Sequence, residues 1–119
     1  MLKLKNLIGE ITEWIDENLL ENMTIDDVAA RSGYSKWHLQ RVFFQVNNAS
    51  MGNYIRNKRL EMAAKDLVET EDSIVTIVDR YGFESQQSFS RSFTKQFNLP
   101  PGRYRIVNAK NKYNKKCFF

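Results

Sequence analysis

The sequence predicts an all-α fold of about seven helices, with two helix-turn-helix subdomains joined by a long connecting helix. Apolar residues recur every three or four positions in every strong segment, one segment of the first half returns in the second, and acidic and basic stretches alternate along the 119 residues. The predicted parts are a first subdomain at 1–49, the connecting helix at 50–69, a second subdomain at 70–107 and a basic, flexible tail at 108–119.

The first subdomain begins with a helix whose apolar positions run from Leu4 to Leu19. Thr24 is expected to cap the second helix, because its hydroxyl group can accept a hydrogen bond from the amide of Asp27. Gly33 follows and provides the left-handed backbone that a tight turn between helices commonly needs. The third helix is predicted from a capping serine and three residues at core spacing: Ser35, Leu39, Phe43 and Val46.

The connecting helix carries two separate groups of apolar residues, which indicates that one helix contacts two different cores. It can begin at Ser50 or Asn53 and is expected to continue to about Glu69. The two groups flank the basic segment at 56–59 and consist of Met51, Tyr54 and Ile55 before it, and of Leu60, Ala63, Ala64 and Leu67 after it.

The second subdomain repeats the pattern of capped helices. Ser73 is expected to cap a short helix that Gly82 ends, and Ser85 is expected to cap the next helix. An inward-facing stripe on that helix is predicted from phenylalanines at four-residue steps: Phe89, Phe93 and Phe97. A pair of prolines then stops the helix, and the sequence predicts only a final turn around Tyr104.

Two segments of the chain align as an internal repeat. TIDDVAARSGY at 24–34 matches SIVTIVDRYGF at 73–83, which pairs the two turn glycines. The second copy then has one extra residue, after which Arg41 pairs with Arg91. Each copy is a short helix, a glycine turn and a second helix with polar and basic residues. In this arrangement the second helix can enter the major groove of DNA.

The net charge of +4 is a modest indication of a polyanionic partner, and the distribution of charge is more informative. Residues 1–27 hold seven acids and two bases, whereas residues 28–60 hold six bases and no acid. Residues 61–84 again hold seven acids and two bases, and residues 85–119 hold eight bases and no acid. Two basic surfaces for phosphate explain this segregation, and ordinary solvated helix faces explain it equally well.

Composition and cysteine content narrow the class of protein. The chain lacks the uninterrupted apolar run of about 20 residues that a membrane span needs, and charged residues interrupt its first 19 positions, so we expect no export signal. Cys117 is the only cysteine and cannot form an internal disulfide, which favours a reducing, cytoplasmic location. No cofactor and no metal site are predicted.

The chain resembles the DNA-binding domain of the AraC/XylS transcription regulators in three long segments: SGYSKWHLQRVF, YIRNKRLEMAAKDL and YGFESQQSFSRSFTKQFNLPPGRYR. The likeness covers roughly residues 7–106. It is greatest to the single-domain branch of the family, the enterobacterial multiple-antibiotic-resistance and superoxide-response activators.

The resemblance implies a bacterial transcription activator that binds double-stranded DNA as a monomer, with two recognition helices in adjacent major grooves. Most family members carry a separate ligand-sensing domain, and 119 residues leave no room for one, so the resemblance implies control by the amount of protein. It also implies a contact with RNA polymerase. No membrane partner is expected.

The expected length of the connecting helix agrees with this mode of binding. A helix of about 19 residues rises roughly 28 Å. Adding the width of the subdomains brings two recognition helices near the roughly 34 Å that separates successive major grooves. Since the two helices differ in sequence, we expect a promoter site with two unlike half-site boxes.

The residues expected to contact bases lie on the outer faces of the two recognition helices. With Leu39 and Phe43 facing inward, the first helix presents Trp37, Gln40 and Arg41. Arginine can hold guanine with two hydrogen bonds, glutamine can pair with adenine, and an indole can pack on a thymine methyl group or a sugar. Periodicity alone leaves open that Trp37 packs partly against the first helix of the chain. The resemblance places base contacts at these positions and, in the second unit, at Gln86, Gln87 and Arg91.

Other polar residues are expected to contact phosphate, where a point charge adds affinity without sequence information. Ser35 and Ser85, with the amides at the positive ends of their helices, are expected to hold phosphate oxygens. The basic members of this group are Arg31, Lys36, Lys58, Arg59 and Lys95.

Two other classes of function explain less of the sequence. A helical protein-interaction module accounts for the helices and the exposed aromatic residues, but not for two basic recognition faces at repeat spacing. An enzyme is the weaker alternative, because His38 is the only histidine and no cysteine or carboxylate cluster lies near it in the sequence.

Overall fold

The computed structural model describes residues 2–21 and 23–117, and the side chains of residues 5–21 and 23–109. In this part of the chain the backbone forms seven α-helices and no strand, which confirms the predicted all-α fold. The helices are α1 (Leu2–Glu17), α2 (Ile25–Ser32), α3 (Lys36–Asn47), α4 (Met51–Glu69), α5 (Ile74–Arg80), α6 (Gln86–Phe97) and α7 (Pro101–Cys117). The chain divides into two units, Met1–Lys58 and Arg59–Phe119, and the division falls inside α4.

The helices of the first unit begin and end at the residues that the sequence predicts. Thr24 Oγ1 accepts from the Asp27 amide at 3.1 Å, and the Thr24 amide donates to Asp27 Oδ2 at 2.9 Å, so the two residues form a capping box. Gly33 ends α2 with a φ of +80°, in the left-handed region that glycine adopts without steric penalty. Ser35 Oγ accepts from the His38 amide at 3.2 Å and begins α3.

The second unit has the same sequence of features, a helix cap, a left-handed glycine and a second helix cap. Ser73 Oγ accepts from the Thr76 amide at 3.1 Å, and Ser85 Oγ accepts from the Ser88 amide at 3.0 Å. Between these two caps, Gly82 has a φ of +70°. The helices that follow the glycine turns, α3 and α6, both contain 12 residues.

α3 and α6 also end alike, at residues that the sequence analysis did not single out. Asn48 and Asn98 have φ values of +54° and +62°. The Asn48 amide donates to the Phe44 carbonyl and the Asn98 amide to the Thr94 carbonyl, both at 2.8 Å. Asparagine tolerates this left-handed conformation better than most residues other than glycine. The internal repeat therefore extends to the end of the second helix in each unit.

Each unit has its own hydrophobic core, and α4 contributes to both. The buried residues of the first core are Ile8, Ile11, Ile15, Leu19, Val28, Ala29, Leu39, Val42, Phe43, Met51 and Ile55. Those of the second core are Leu60, Ala63, Ala64, Leu67, Ile77, Val78, Tyr81, Phe89 and Phe93. The two apolar groups on α4 thus enter different cores, as their separation in the sequence predicts. Ser50 caps this helix, since its Oγ accepts from the Asn53 amide at 3.2 Å.

Two of the structural predictions are wrong, one about a buried residue and one about the length of a helix. Val46 was expected on the buried face of α3, but it is 37% exposed, and Val42 is buried instead. Val46 lies in the last turn of the helix, beyond Phe43, which is the last residue that α3 contributes to the core. The second concerns α7, which is much longer than the single turn predicted around Tyr104, because after Gly102 no proline or glycine interrupts it.

The expected flexibility of the tail at 108–119 stays a prediction. The backbone is helical to Cys117, and the side chains of residues 110–119 lie outside the described part of the chain.

Charged and polar side chains tie α5 to the end of α4 in the second unit. The Arg80 guanidinium donates to Asp66 Oδ2 at 2.8 Å and to Asp72 Oδ2 at 2.7 Å. The Tyr81 hydroxyl group donates to the same Asp66 oxygen at 2.7 Å. The hydrogen bond from Arg80 lowers the pKa of Asp72, and the bonds to the two carboxylates raise the pKa of Arg80. Burial, with the bond to Asp66, raises the pKa of Tyr81 to about 12.

Arg105 ties α7 to the same region. Its Nε donates to the Leu67 carbonyl at 2.8 Å, and its Nη2 donates to the carbonyls of Thr70 and Asp72. Carbonyls at the end of a helix have no partner within the helix and are costly to leave unpaired when they are shielded from water. Arg105 therefore provides hydrogen-bond donors for main-chain carbonyls at the end of α4 and in the loop after it.

We expect that Leu39→Ala and Phe93→Ala each lower the free energy of unfolding by about 2–5 kcal/mol, because each removes a fully buried side chain and leaves a cavity. Urea unfolding followed by circular dichroism measures this change. Val75→Ala, at a residue that is 63% exposed, is the control and should change stability by less than about 0.5 kcal/mol. Unchanged midpoints for the two core variants would contradict the described packing.

We expect Tyr81→Phe to destabilise the second unit in a pH-dependent way. The pKa of Tyr81 rises from 10.0 to about 12 on folding. The neutral phenol therefore adds stability that is complete below pH 10 and is lost as the pH rises to about 12. At pH 8 the variant should be less stable by about 1–2 kcal/mol, from the lost hydrogen bond, and the difference should shrink between pH 10 and 12.

Urea unfolding of both proteins between pH 8 and pH 11.5 tests this expectation. Tyr104→Phe is the matched control, because Tyr104 is a half-buried tyrosine of the same unit whose hydroxyl group makes no hydrogen bond among the described residues. A difference between wild type and Tyr81→Phe that stays constant over this pH range would contradict the assignment.

Candidate nucleic-acid interface

The outer face of α3 carries the first set of residues predicted to contact bases. Leu39 and Phe43 are fully buried and anchor the helix, which turns Trp37 and Arg41 to solvent. Trp37 is 68% exposed and is not among the partly buried residues that pack against the first core. Gln40 is half-buried on the same face. The three residues thus share a surface that a ligand can reach.

Arg41 and Trp37 contact each other on this face. The guanidinium carbon of Arg41 lies 5.4 Å from the centroid of the Trp37 ring, within the range of a cation–π interaction. The contact favours a guanidinium group that lies beside the ring, and the side chain remains exposed. A planar group with several N–H donors suits a contact through two parallel hydrogen bonds.

α6 presents a smaller and more polar surface. Two buried phenylalanines anchor it, and Gln86, Gln87 and Arg91 are exposed on the other side. These three residues line one shallow depression together with Ser90. Ser90 is not among the predicted site residues, although its place three residues after Gln87 on the same helix was a usable signal.

Ser35 and Ser85 lie at the beginnings of α3 and α6. The hydroxyl oxygen of each accepts a hydrogen bond from an amide of its own helix. A hydroxyl group also has one proton to donate, so each serine can still bind a phosphate oxygen. The positive end of the helix macrodipole lies at the same place and favours an anion there.

Arg31 and Lys36, two of the basic residues predicted to contact phosphate, each contact a side chain of the first unit. The guanidinium carbon of Arg31 lies 5.2 Å from the centroid of the Trp14 ring. Lys36 Nζ lies 3.5 Å from Asp26 Oδ1, and both of those side chains are more than half exposed. An ion pair between exposed groups adds at most about 1 kcal/mol, so a phosphate group can replace Asp26 as the partner of Lys36.

The other three basic candidates differ in exposure. Lys95 is exposed in the last turn of α6. Lys58 is half-buried, and its Nζ lies 5.7 Å from the centroid of the Tyr54 ring. Arg59 is also half-buried, and burial lowers its pKa. Of these three residues, Lys95 therefore offers the most accessible charge.

In the described part of the chain, no three histidine, cysteine, aspartate or glutamate side chains lie close enough together to hold a metal ion. None of the helices described there has both the length and the apolar character needed to cross a membrane.

Each unit therefore combines a capped helix, a left-handed glycine and a second capped helix with a polar or basic outer face. This combination defines a DNA-binding protein of the helix-turn-helix class. The family model described as a helix-turn-helix domain matches residues 28–106. The chain belongs to the AraC-type family of helix-turn-helix transcription regulators.

Well-described members of this family are similar over most of their length. The multiple antibiotic resistance protein MarA of Salmonella typhimurium is 45% identical over 101 residues, which are 85% of this chain and 80% of MarA. The regulatory protein SoxS of Escherichia coli is 46% identical over 101 residues, which are 85% of this chain and 94% of SoxS. The transcriptional activator AarP of Providencia stuartii is 43% identical over 104 residues, which are 87% of this chain and 77% of AarP.

Solved structures with the same fold include a transcriptional regulator from Chromobacterium violaceum with an AraC-type DNA-binding domain. It has a TM-score of 0.83 and 29% identity, and the match covers 92% of this chain and 97% of that one. The DNA-binding domain of AdpA, solved with a target DNA, has a TM-score of 0.82 over 87% of this chain and 94% of that one. At 23% identity, the likeness to AdpA concerns the fold alone.

The function follows from the family and from the described surfaces. The chain is a sequence-specific DNA-binding transcription activator similar to MarA and SoxS.

Proposed function

We propose that this activator binds an asymmetric promoter site as a monomer, with α3 in one major groove and α6 in the next. The observation that carries the proposal is a pair of 12-residue helices, each preceded by a left-handed glycine and a serine cap. Their exposed faces are unlike, because α3 offers an indole and a guanidinium group whereas α6 offers two amides and a guanidinium group. Unlike faces prefer different bases, so the two half-site boxes differ in sequence.

The proposed roles on α3 follow from the chemistry of each side chain. Arg41 donates two hydrogen bonds to a guanine, Gln40 pairs with an adenine, and Trp37 packs on a thymine methyl group or a sugar. The contact between Arg41 and Trp37 supports these roles, since a guanidinium group that already contacts a ring loses less rotamer freedom on binding than a freely moving one.

On α6, Gln86, Gln87 and Arg91 take the base-contacting roles. Their position around one depression supports a joint contact with neighbouring base edges, and Ser90 adds a further hydroxyl group there. Glutamine and arginine together can recognise adenine and guanine. α6 has no exposed aromatic residue in its first two turns, so we expect it to depend on hydrogen bonds more than α3 does.

The remaining polar candidates bind the DNA backbone and orient the two helices. The serine caps donate to phosphate oxygens at the positive helix ends, and the basic side chains act as point charges. This group consists of Ser35, Ser85, Arg31, Lys36, Lys58, Arg59 and Lys95. Their contribution does not depend on base sequence, so it should appear as salt dependence of binding.

We infer that RNA polymerase is the second partner, since the relative AarP is named a transcriptional activator and activation requires contact with the transcription machinery. The regulated genes are proposed to serve antibiotic resistance, because MarA is named for it, and stress response, because the sequence resembles the superoxide-response activators. The protein is expected to act in the cytoplasm, without a cofactor and without catalysing a reaction. Its relatives are regulators, which supports a role other than that of an enzyme.

Selection of sites from a random duplex library, followed by binding titrations at several salt concentrations, tests the proposed function. Enrichment of one asymmetric site with steep salt dependence is the expected result. A helical protein-interaction module would enrich no site. Native mass spectrometry of the complex gives the stoichiometry, and two chains on each selected duplex would contradict the monomer.

We expect Arg41→Ala to weaken binding to the selected site by about 1–3 kcal/mol and to relax the preference at one base pair, because a two-bonded contact with guanine is lost. Fluorescence anisotropy on the selected site and on its single-base variants measures both effects. Unchanged affinity for the selected site would show that Arg41 does not contact a base.

Lys95→Ala should instead weaken binding to all duplexes by a similar factor and lower the slope of log affinity against log salt by about one. The same titrations on selected and random duplexes measure this. Arg41→Ala serves as the comparison, because its effect should depend on sequence. A loss confined to the selected site would contradict a phosphate contact for Lys95.

A further inference from the structure

Phe44 is an exposed aromatic residue that neither core explains. It is 53% exposed, whereas the preceding residue, Phe43, is fully buried. Phe43 packs edge-on against Tyr54 with ring centroids 5.5 Å apart, but Phe44 makes no ring contact among the described residues and belongs to neither hydrophobic core. Full burial of such a side chain contributes about 1.5–3 kcal/mol, and a half-exposed phenyl ring forgoes part of that. Internal packing therefore gives no reason for an aromatic residue at this position.

Its place on the helix relates Phe44 to the face that carries the predicted base contacts. Successive residues of an α-helix are rotated by about 100°. Phe44 lies seven residues after Trp37 and three after Arg41, so all three side chains leave the helix within about 60° of one another. Phe44 extends this face by one turn beyond Arg41, toward the end of α3.

We propose that Phe44 is a further specificity-determining residue, which packs on the 5-methyl group of a thymine in the half-site that α3 contacts. The inference rests on the proposed function, in which α3 lies in the major groove. The thymine methyl group is the one apolar group that the bases present in that groove, and phenylalanine is among the side chains that contact it. A phenyl ring has no hydrogen-bonding group, so the polar base edges and the phosphates offer it nothing comparable.

The spacing along α3 separates this contact from the others. Seven residues correspond to a rise of about 10 Å. Base pairs follow one another at about 3.4 Å. If the helix follows the groove, the thymine that Phe44 contacts therefore lies about three base pairs from the base pair that Trp37 contacts.

The test replaces each thymine of the α3 half-site in turn by deoxyuridine, which removes the methyl group and keeps the hydrogen-bonding groups. The full chain and the duplex that it selects from a random library are used. Wild type should lose about fourfold in affinity at one thymine, the equivalent of one buried methyl-sized group. Phe44→Ala should bind the thymine and deoxyuridine duplexes equally at that position and keep any sensitivity at other thymines.

Val46→Ala is the matched control, because Val46 is also partly exposed on α3 but lies nine residues after Trp37, on the opposite side of the helix. This variant should keep the deoxyuridine effect of wild type. Thermal melting by circular dichroism checks that both variants are folded. The inference is overturned if the half-site contains no thymine, if no thymine is sensitive in wild type, or if Phe44→Ala keeps the full wild-type pattern.

Arg41→Ala on the same duplexes distinguishes this failure from failure of the proposed function. If Arg41→Ala weakens binding while Phe44→Ala keeps the wild-type pattern, α3 reads DNA and only the role of Phe44 is wrong. If neither variant changes the affinity or the sensitivity to deoxyuridine, α3 does not lie in the groove, and both proposals are wrong.

Discussion

The burial of two side-chain pairs, Leu39 with Phe43 and Phe89 with Phe93, determines which side of each recognition helix faces outward. A helix can rotate about its own axis at little cost unless one side of it is buried. Four fully buried residues remove that freedom, because exposing any one of them would cost about 1.5–3 kcal/mol. The orientation of the side chains proposed to contact DNA is therefore a consequence of core packing on the opposite side of the same helix.

Aligned positions of the repeat have different physical roles in the two units. Arg31 and Arg80 occupy the same place in the alignment, yet Arg31 stacks on Trp14 while Arg80 binds two carboxylates. The two arginines differ because their neighbours differ, since Asp66 and Asp72 belong to the second unit and Trp14 to the first. Arg31 remains exposed at the surface, whereas Arg80 is held in a network that stabilises its own unit. The same place in the repeat thus holds an exposed arginine in the first unit and an arginine bound to two carboxylates in the second.

The features that could be predicted from the sequence are those that depend on neighbouring residues along the chain. Caps such as Thr24 and Ser85, the left-handed Gly33 and the split apolar face of α4 all arise from local hydrogen bonding, backbone sterics and helical period. The exposure of Trp37 also follows from period, once the core positions of α3 are known. For these reasons the fold and the residues on the outer face of α3 can largely be predicted from the amino-acid sequence.

Other features depend on contacts between distant parts of the chain, and the sequence alone did not reveal them. Val46 has the right spacing for the core, but Phe43 is the last residue that α3 contributes to it. The hydrogen bond of Arg80 with Asp66 spans 14 positions, and that of Arg105 with the Leu67 carbonyl spans 38, so no local sequence pattern predicts them. The roles of individual residues toward DNA depend on a partner as well as on the chain.

The two arginines that hold the segment between α4 and α5 place a limit on how this protein can diverge. Arg105 binds main-chain carbonyls at Leu67, Thr70 and Asp72, and main-chain atoms are present whatever the side chain. Most substitutions at Thr70 or Glu71 would leave those bonds in place, but inserting or deleting one residue would move the carbonyls out of register. Descendants of this sequence should therefore vary in composition at this connection while keeping its length.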